Sequence, residues 1–197
     1  MATAIAYKVL GEGGEAFHGG TGTWPLPRGK RPGKWFEHEG RLIACESGLH
    51  LCRKQDLVKW LGPVIYEAEY DDTEVMAAPD KIVVRRARLV RRLGGWNERN
   101  ARLFAADCAA RALRMEQKAG RSVDPRSKNA IKVARAFANG KATDAERSAA
   151  RSAAWSGARS AAESAAWSAA ESAARSAAWS GAWSWQTKSL FGKYLEA

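Results

Sequence analysis

The chain has 197 residues, 46% hydrophobic and 27% charged, with 32 Lys and Arg against 21 Asp and Glu for a formal charge of +11. This length fits one or two domains with a core in each, and the basic balance makes nucleic acid or another anionic surface a partner class to weigh. Three cysteines exclude a disulfide framework and point to a reducing compartment.

The opening MATAIAYKVLGEGGE lacks a charged leader followed by a long apolar core, so no signal peptide is expected and a cytoplasmic location is. No stretch holds eighteen uninterrupted strongly apolar residues, so no membrane span is expected. Ala4 to Leu10 reads as a strand that ends in the turn Gly11-Glu12-Gly13-Gly14. Gly19, Gly20, Gly22, Gly29 and Gly33, joined by Pro25, Pro27 and Pro32, predict a loop as far as Lys34. Lys34 to Glu39 and Arg41 to Cys45 predict short strands hinged at Gly40. After the Ser47-Gly48 turn, Leu57, Val58, Trp60 and Leu61 predict a short helix closed by Gly62-Pro63. Val64 to Tyr70 alternates as a half-buried strand does. An acidic turn follows, and Lys81 to Leu93 reads as one long strand whose arginines decorate a solvated face. The expected fold class is α+β, with residues 1–93 forming a small mixed domain.

Gly94-Gly95 marks a boundary, and residues 96–197 predict an all-α, alanine-rich helical bundle. The charge excess lies mainly here, with 17 basic against 9 acidic residues, compared with 15 against 12 in residues 1–95. Asn97 can cap a helix over about 98–118, with Leu103, Phe104, Cys108, Leu113 and Met115 on a broad buried face. Asp124-Pro125 opens a second helix over about 125–138, a cap followed by proline in the first turn. Thr143 and Glu146 form a capping box before a third, over about 144–156.

From Arg147 to Trp185 the chain repeats a tetrad of serine, two small residues and one large or charged residue. Summed propensity predicts helix. A period of four drifts by roughly 40° per repeat on a helix turning about 100° per residue, so the tryptophans hold no single face. One unbroken rod would be about 58 Å long, against a radius of gyration of roughly 16 Å for a compact chain of this size. A break is therefore expected at Ser156-Gly157, with a further helix over 159–185. The end, Leu190, Phe191, Tyr194 and Leu195, is apolar enough to dock onto the bundle.

Cys45-x4-His50-x-Cys52 and His18 gather metal-ligand types, but the spacing matches no common zinc pattern, so no metal and no cofactor is expected. Cys45 and Cys52 read as small buried residues flanking a turn, and Cys108 as core. Arg85, Arg86, Arg88, Arg91 and Arg92, with Arg126, Lys128, Lys132 and Arg135, form the set that would meet phosphates if the protein bound nucleic acid. Trp155, Trp167, Trp179, Trp183 and Trp185 are expected as anchors at a protein interface; in an exposed channel they would stack on bases.

Three resemblances bear on function. AIAYKVL, ACESGLHLC, WLGPVIYEAEY and DKIVVRRARLV resemble an uncharacterised domain recurrent in bacteriophage and actinobacterial proteins. LFAADCAARAL through DPRSKNAIKVARAFANGKATDAERSAARSAA is similar to the alanine-rich helical immunity proteins of polymorphic toxin systems, although Ser/Trp tetrads replace the histidine-containing alanine run of that family. Together these imply a phage-encoded, non-enzymatic, immunity-like accessory protein that binds a protein partner or itself through the helical domain. Phe17-His18-Gly19, Ser47-Gly48-Leu49-His50 and the later Glu67 or Glu69 resemble, in order, the elements with which ADP-ribosyltransferases hold nicotinamide dinucleotide and orient its ribose. That resemblance implies, as an alternative, an NAD-dependent activity with His18, His50, Glu67 and Glu69 as its catalytic set. The tyrosine or serine strand of that family is not identifiable between them.

Overall fold

A computed structural model describes residues 2–165 and 184–195 of the chain, with side chains in the third helix described as far as Ala154. The fold is mixed α+β. The chain divides into two units, one taking residues 1–97 and 183–197 and the other 98–182.

In the first unit, apolar side chains at Ala6, Ala68, Ala87 and Leu89 turn one face of the longer strands inward. Strand β1 (Thr3–Leu10) pairs antiparallel with β4 (Val64–Asp71), Thr3 opposite Asp71 and Leu10 opposite Val64. On its other side β4 pairs with β7 (Arg86–Arg92), and β7 pairs with the two-residue β2 (Phe36–Glu37), giving the order β1-β4-β7-β2. A second sheet has the order β3-β6-β5, from Leu49–Leu51, Lys81–Val84 and Val75–Ala78. Ala6, Leu10, Val64, Tyr66, Ala68, Ala87 and Leu89 of the first sheet share one core with Leu49, Leu51, Ile82 and Val84 of the second, and Trp24 is buried among them.

Residues 81–93 therefore form two strands where one was expected. All four residues of β6 are buried, as befits a central strand covered on both faces, whereas β7 alternates from Arg86 to Leu89. The change falls at Arg85, where the chain passes from one sheet to the other. Its guanidinium bonds the carbonyls of His38 at 2.9 Å and Gly40 at 3.0 Å and pairs with Glu74 at 2.6 Å, while its own carbonyl accepts from the His38 amide. Strand β5 occupies what read as part of an acidic turn.

Arg41 to Cys45 also departs from expectation. Instead of a strand, the Glu46 and Ser47 amides both donate to the Ile43 carbonyl and Cys45 takes a left-handed φ of 66°. The expected helix after Ser47-Gly48 contracts to a 3-10 turn, Leu57–Lys59, in which only Leu57 is buried.

The helical unit contains α1 (Glu98–Lys118), α2 (Pro125–Ala138) and α3 (Asp144–Ala165). The Asp124 carboxylate accepts from the Arg126 amide at 2.7 Å, ahead of Pro125 in the first turn. At the next start, the Thr143 amide donates to Glu146 at 2.7 Å and the Glu146 amide returns a bond to the Thr143 hydroxyl at 3.2 Å. Helix α3 continues through Gly157 to Ala165, so the break expected at Ser156-Gly157 is absent there. One glycine costs about 1 kcal/mol in a helix, and the alanines around it sustain the run. The buried face of α1 is narrower than expected. Phe104, Ala106 and Ala110 are buried, Leu103, Cys108 and Leu113 only half so, and Met115 is exposed.

The terminal segment, expected on the helical bundle, belongs instead to the first unit. Residues 184–189 are α-helical and Leu190–Leu195 form a π turn with Leu190, Phe191, Tyr194 and Leu195 buried. Phe191 meets the Tyr7 ring edge to face at 5.0 Å and lies under the Lys54 ammonium at 4.5 Å. The main chain closes tightly over Gly95, where a Cβ would stand 2.5 Å from the Tyr194 carbonyl oxygen. These apolar residues dock on the sheet unit because the Tyr7 ring, the Lys54 stem and a side-chain-free Gly95 receive them.

Candidate functional site

Three helical stripes of small residues frame an open groove of about 470 Å3 inside the helical unit. Helix α1 supplies Arg102, Ala105, Ala106 and Ala109, α2 supplies Ser127, Ala130, Ile131, Ala134 and Phe137, and α3 supplies Arg147, Arg151 and Ala154. Each set recurs every three or four residues, which is one helix face. Helix α2 packs against both neighbours and forms the floor. Between α1 and α2 the Arg135 guanidinium pairs with Asp107 at 2.8 Å, and Arg99 donates to the Asn139 side chain at 2.6 Å.

One end of the groove is cationic. The guanidiniums of Arg102 and Arg147 lie 4.5 and 4.8 Å from the Phe137 ring centroid. Each also pairs with a carboxylate about one turn earlier, Arg102 with Glu98 and Arg147 with Asp144. Arg151 is exposed and, among the described residues, forms no ion pair. Arg102 stands one turn into α1 and Arg147 in the first turn of α3, whose N-terminal dipoles add positive potential against the C-terminal dipole of α2 at the same end. The groove thus offers an apolar, small-residue floor with positive charge concentrated near Phe137. Alanine spacing carried this signal in the sequence, but which alanine face the described residues leave uncovered is a tertiary property.

The tryptophans expected as anchors divide three ways. Trp155 lies in the α3 backbone without a described side chain, and Trp167, Trp179 and Trp183 lie outside the described residues. Trp185 is half-buried in the terminal segment of the sheet unit.

His18, His50, Glu67 and Glu69 occupy separate local networks. His18 Nε2 donates to the Trp60 carbonyl at 2.7 Å and its ring packs on those of Phe17 and Trp60. His50 Nε2 accepts the Cys45 amide at 2.9 Å, which makes Nδ1 the protonated nitrogen that donates to the Gly48 carbonyl at 3.0 Å. Burial holds the His50 pKa below its ordinary value, and the charges of Lys8, Lys81 and His38 act in the same direction. Glu67 pairs with Arg91 at 2.8 Å and Glu69 with Arg88 at 2.6 Å across β4 and β7. Desolvation raises the Glu69 pKa, but hydrogen bonds from Arg88 and Thr3 and the Arg88 charge outweigh it and leave the carboxyl below its usual value. A carboxylate held this way accepts a proton poorly.

The cysteines also diverge. Cys45 is exposed, contrary to expectation, with the Lys81 ammonium 3.2 Å from its sulfur, whereas Cys52 is buried and desolvation pushes its thiol up to about 12. Among the described residues no group of three or more His, Cys, Asp or Glu gathers as a metal site.

The basic set is largely engaged within the chain. Besides the pairs above, Arg86 reaches Glu37 at 3.9 Å and stacks with Arg88 on Trp35, and Arg92 pairs with Glu12 at 3.1 Å. Arg126 pairs with Asp124 at 2.6 Å. Lys128 and Lys132 are exposed one turn apart on α2. Among the described residues no helix is long and apolar enough to cross a membrane.

Comparison with known protein families, with curated proteins and with solved structures returns no match.

Proposed function

We propose that this chain is a non-enzymatic binding protein whose helical unit holds a protein partner, acting in the cytoplasm as an immunity-like accessory factor of phage origin. The observation that carries this reading is the groove over α2, apolar along its floor and bordered by Arg102, Arg147 and Arg151. Interfaces draw their energy from such desolvated patches and from aromatic and arginine anchors. The engagement of His18, His50, Glu67 and Glu69 in local pairs supports binding over chemistry, and the carboxylate partners of the β7 arginines leave less free charge for phosphates.

A pull-down with the full chain tests the reading. Raising salt from about 0.1 M to about 1 M shortens the Debye length from roughly 10 to 3 Å. Protein capture that persists at high salt, resists nuclease and is lost in Ala130→Trp is the expected result. Nucleic acid released by salt would replace this reading with a charge-driven one. Modification of protein by labelled NAD, abolished in Glu67→Gln or Glu69→Gln, would make the protein an enzyme.

A further inference from the structure

We propose that the occupant of this groove is an amphipathic partner helix, small or leucine-sized on its buried face, whose carboxylates gather toward its C-terminal end. The inference rests on the binding reading above and names the partner's chemistry and orientation.

The floor sets the shape. From Ser127 to Phe137 the α2 stripe rises ten residues, about 15 Å or nearly three turns. The flanking positions on α1 and α3 are alanines except at the cationic end. The alanines of α1 and α2, with Ala154 of α3, let another helix axis approach to about 8 to 10 Å. A volume of about 470 Å3 suits a row of two or three aliphatic side chains entering from above.

Charge sets the direction. Arg102 and Arg147 stand at the Phe137 end, where α1 and α3 begin and α2 ends, so two positive dipole ends and one negative one lie near the guanidiniums. A helix presenting its C-terminus and acidic residues there meets a net positive dipole field, two helix N-termini against the one C-terminus of α2, and runs antiparallel to α1 and α3. A second copy of this chain is a poor occupant, because residues 98–182 carry fifteen basic against eight acidic residues and would repel themselves. With Arg102 and Arg147 each sharing a carboxylate, Arg151 supplies the charge that is unbalanced among the described residues.

The test titrates the full chain into three fluorescein-labelled peptides and follows anisotropy. The first is a Leu/Ala-faced helix with glutamates in its last two turns, the second carries the same glutamates in its first two turns, and the third is a scramble of equal composition. Tight binding of the first alone is expected, weakened about tenfold by Arg151→Glu, as suits a charge at an interface rim, and abolished by Ala130→Trp in a protein of unchanged circular dichroism. Equal binding of all three peptides, or indifference to both substitutions, overturns the proposal. Displacement of the bound peptide by a fatty acid at stoichiometric concentration would assign the groove to a small amphiphile instead, and a doubled sedimentation mass would assign it to a second copy. If the full chain captures a protein at high salt and Ala130→Trp loses it, yet none of the three peptides binds, this inference fails while the binding reading stands. If no protein is captured by either form, the binding reading itself fails.

Discussion

His50 is a neutral imidazole by construction, since one ring nitrogen receives an amide proton and the other gives its proton to a carbonyl. Protonation would place a hydrogen on Nε2, facing the Cys45 amide, and break that bond. Because the folded pKa lies below the unfolded value of about 6.5, the folded state binds the proton less readily than the unfolded one. The contribution is therefore present above pH 6.5 and lost as pH falls through that value toward the folded pKa. Thermal melts between pH 7 and pH 5 should show a downward slope that His50→Gln flattens, and amide exchange at Cys45 should quicken in the same range. A wild-type slope unchanged by the substitution would place the acid sensitivity elsewhere. At this scale the sequence was legible in part. The turn at Ser47-Gly48 was readable, and Gly48 does adopt a φ of 116° with Val83 only 2.5 Å from where a Cβ would sit. The fate of the histidine was not, because two hydrogen bonds closing over five residues leave no pattern in composition. Nor was the exposure of Cys45, which follows from its left-handed backbone.

Caps are local physics and could be read directly. Asp124-Pro125 and Thr143-x-x-Glu146 satisfy their amides through residues at most three positions away. Thr143→Ala should cost about 1 kcal/mol, the usual value of a lost N-cap, seen as a lower melting temperature of the helical signal; Thr143→Ser should restore most of it. An unchanged melt in Thr143→Ala would mean that packing on α2 alone fixes the start of α3. Sheet exchange at Arg85 is the opposite case. Ile82, Val83 and Val84 followed by alternating Ala87 and Leu89 form one apolar run in sequence, and nothing in it marks that β6 takes the central place between β3 and β5 with all four residues buried while β7 joins the other sheet. Strand β5 was missed for a related reason: Val75, Met76 and Ala77 remain exposed at a sheet edge, so no burial pattern marks them.

Across the whole molecule, the chain leaves the sheet unit after Asn97 and supplies that same unit again with residues 184–195. The apolar character of Leu190, Phe191, Tyr194 and Leu195 was visible in the sequence, but their destination depends on Tyr7, Lys54 and Gly95, all far away along the chain. A tryptic cut at Arg121, exposed between α1 and α2, should leave two fragments that co-elute in gel filtration and part only in denaturant. Phe191→Ala, a truncation costing about 3 to 5 kcal/mol in a packed core, should let them part at a lower denaturant concentration, with the α1–α2 contacts as the remaining hold. A denaturant midpoint for separation that Phe191→Ala leaves unchanged would mean the terminal contacts are weak. The last dozen described residues act as a ligand covalently supplied to its own receptor, at an effective concentration set by the chain that joins them. A free peptide of the same sequence would need to reach that concentration to compete for the intact protein, whereas after cleavage retention becomes an ordinary bimolecular equilibrium, sensitive to how much protein is in the tube.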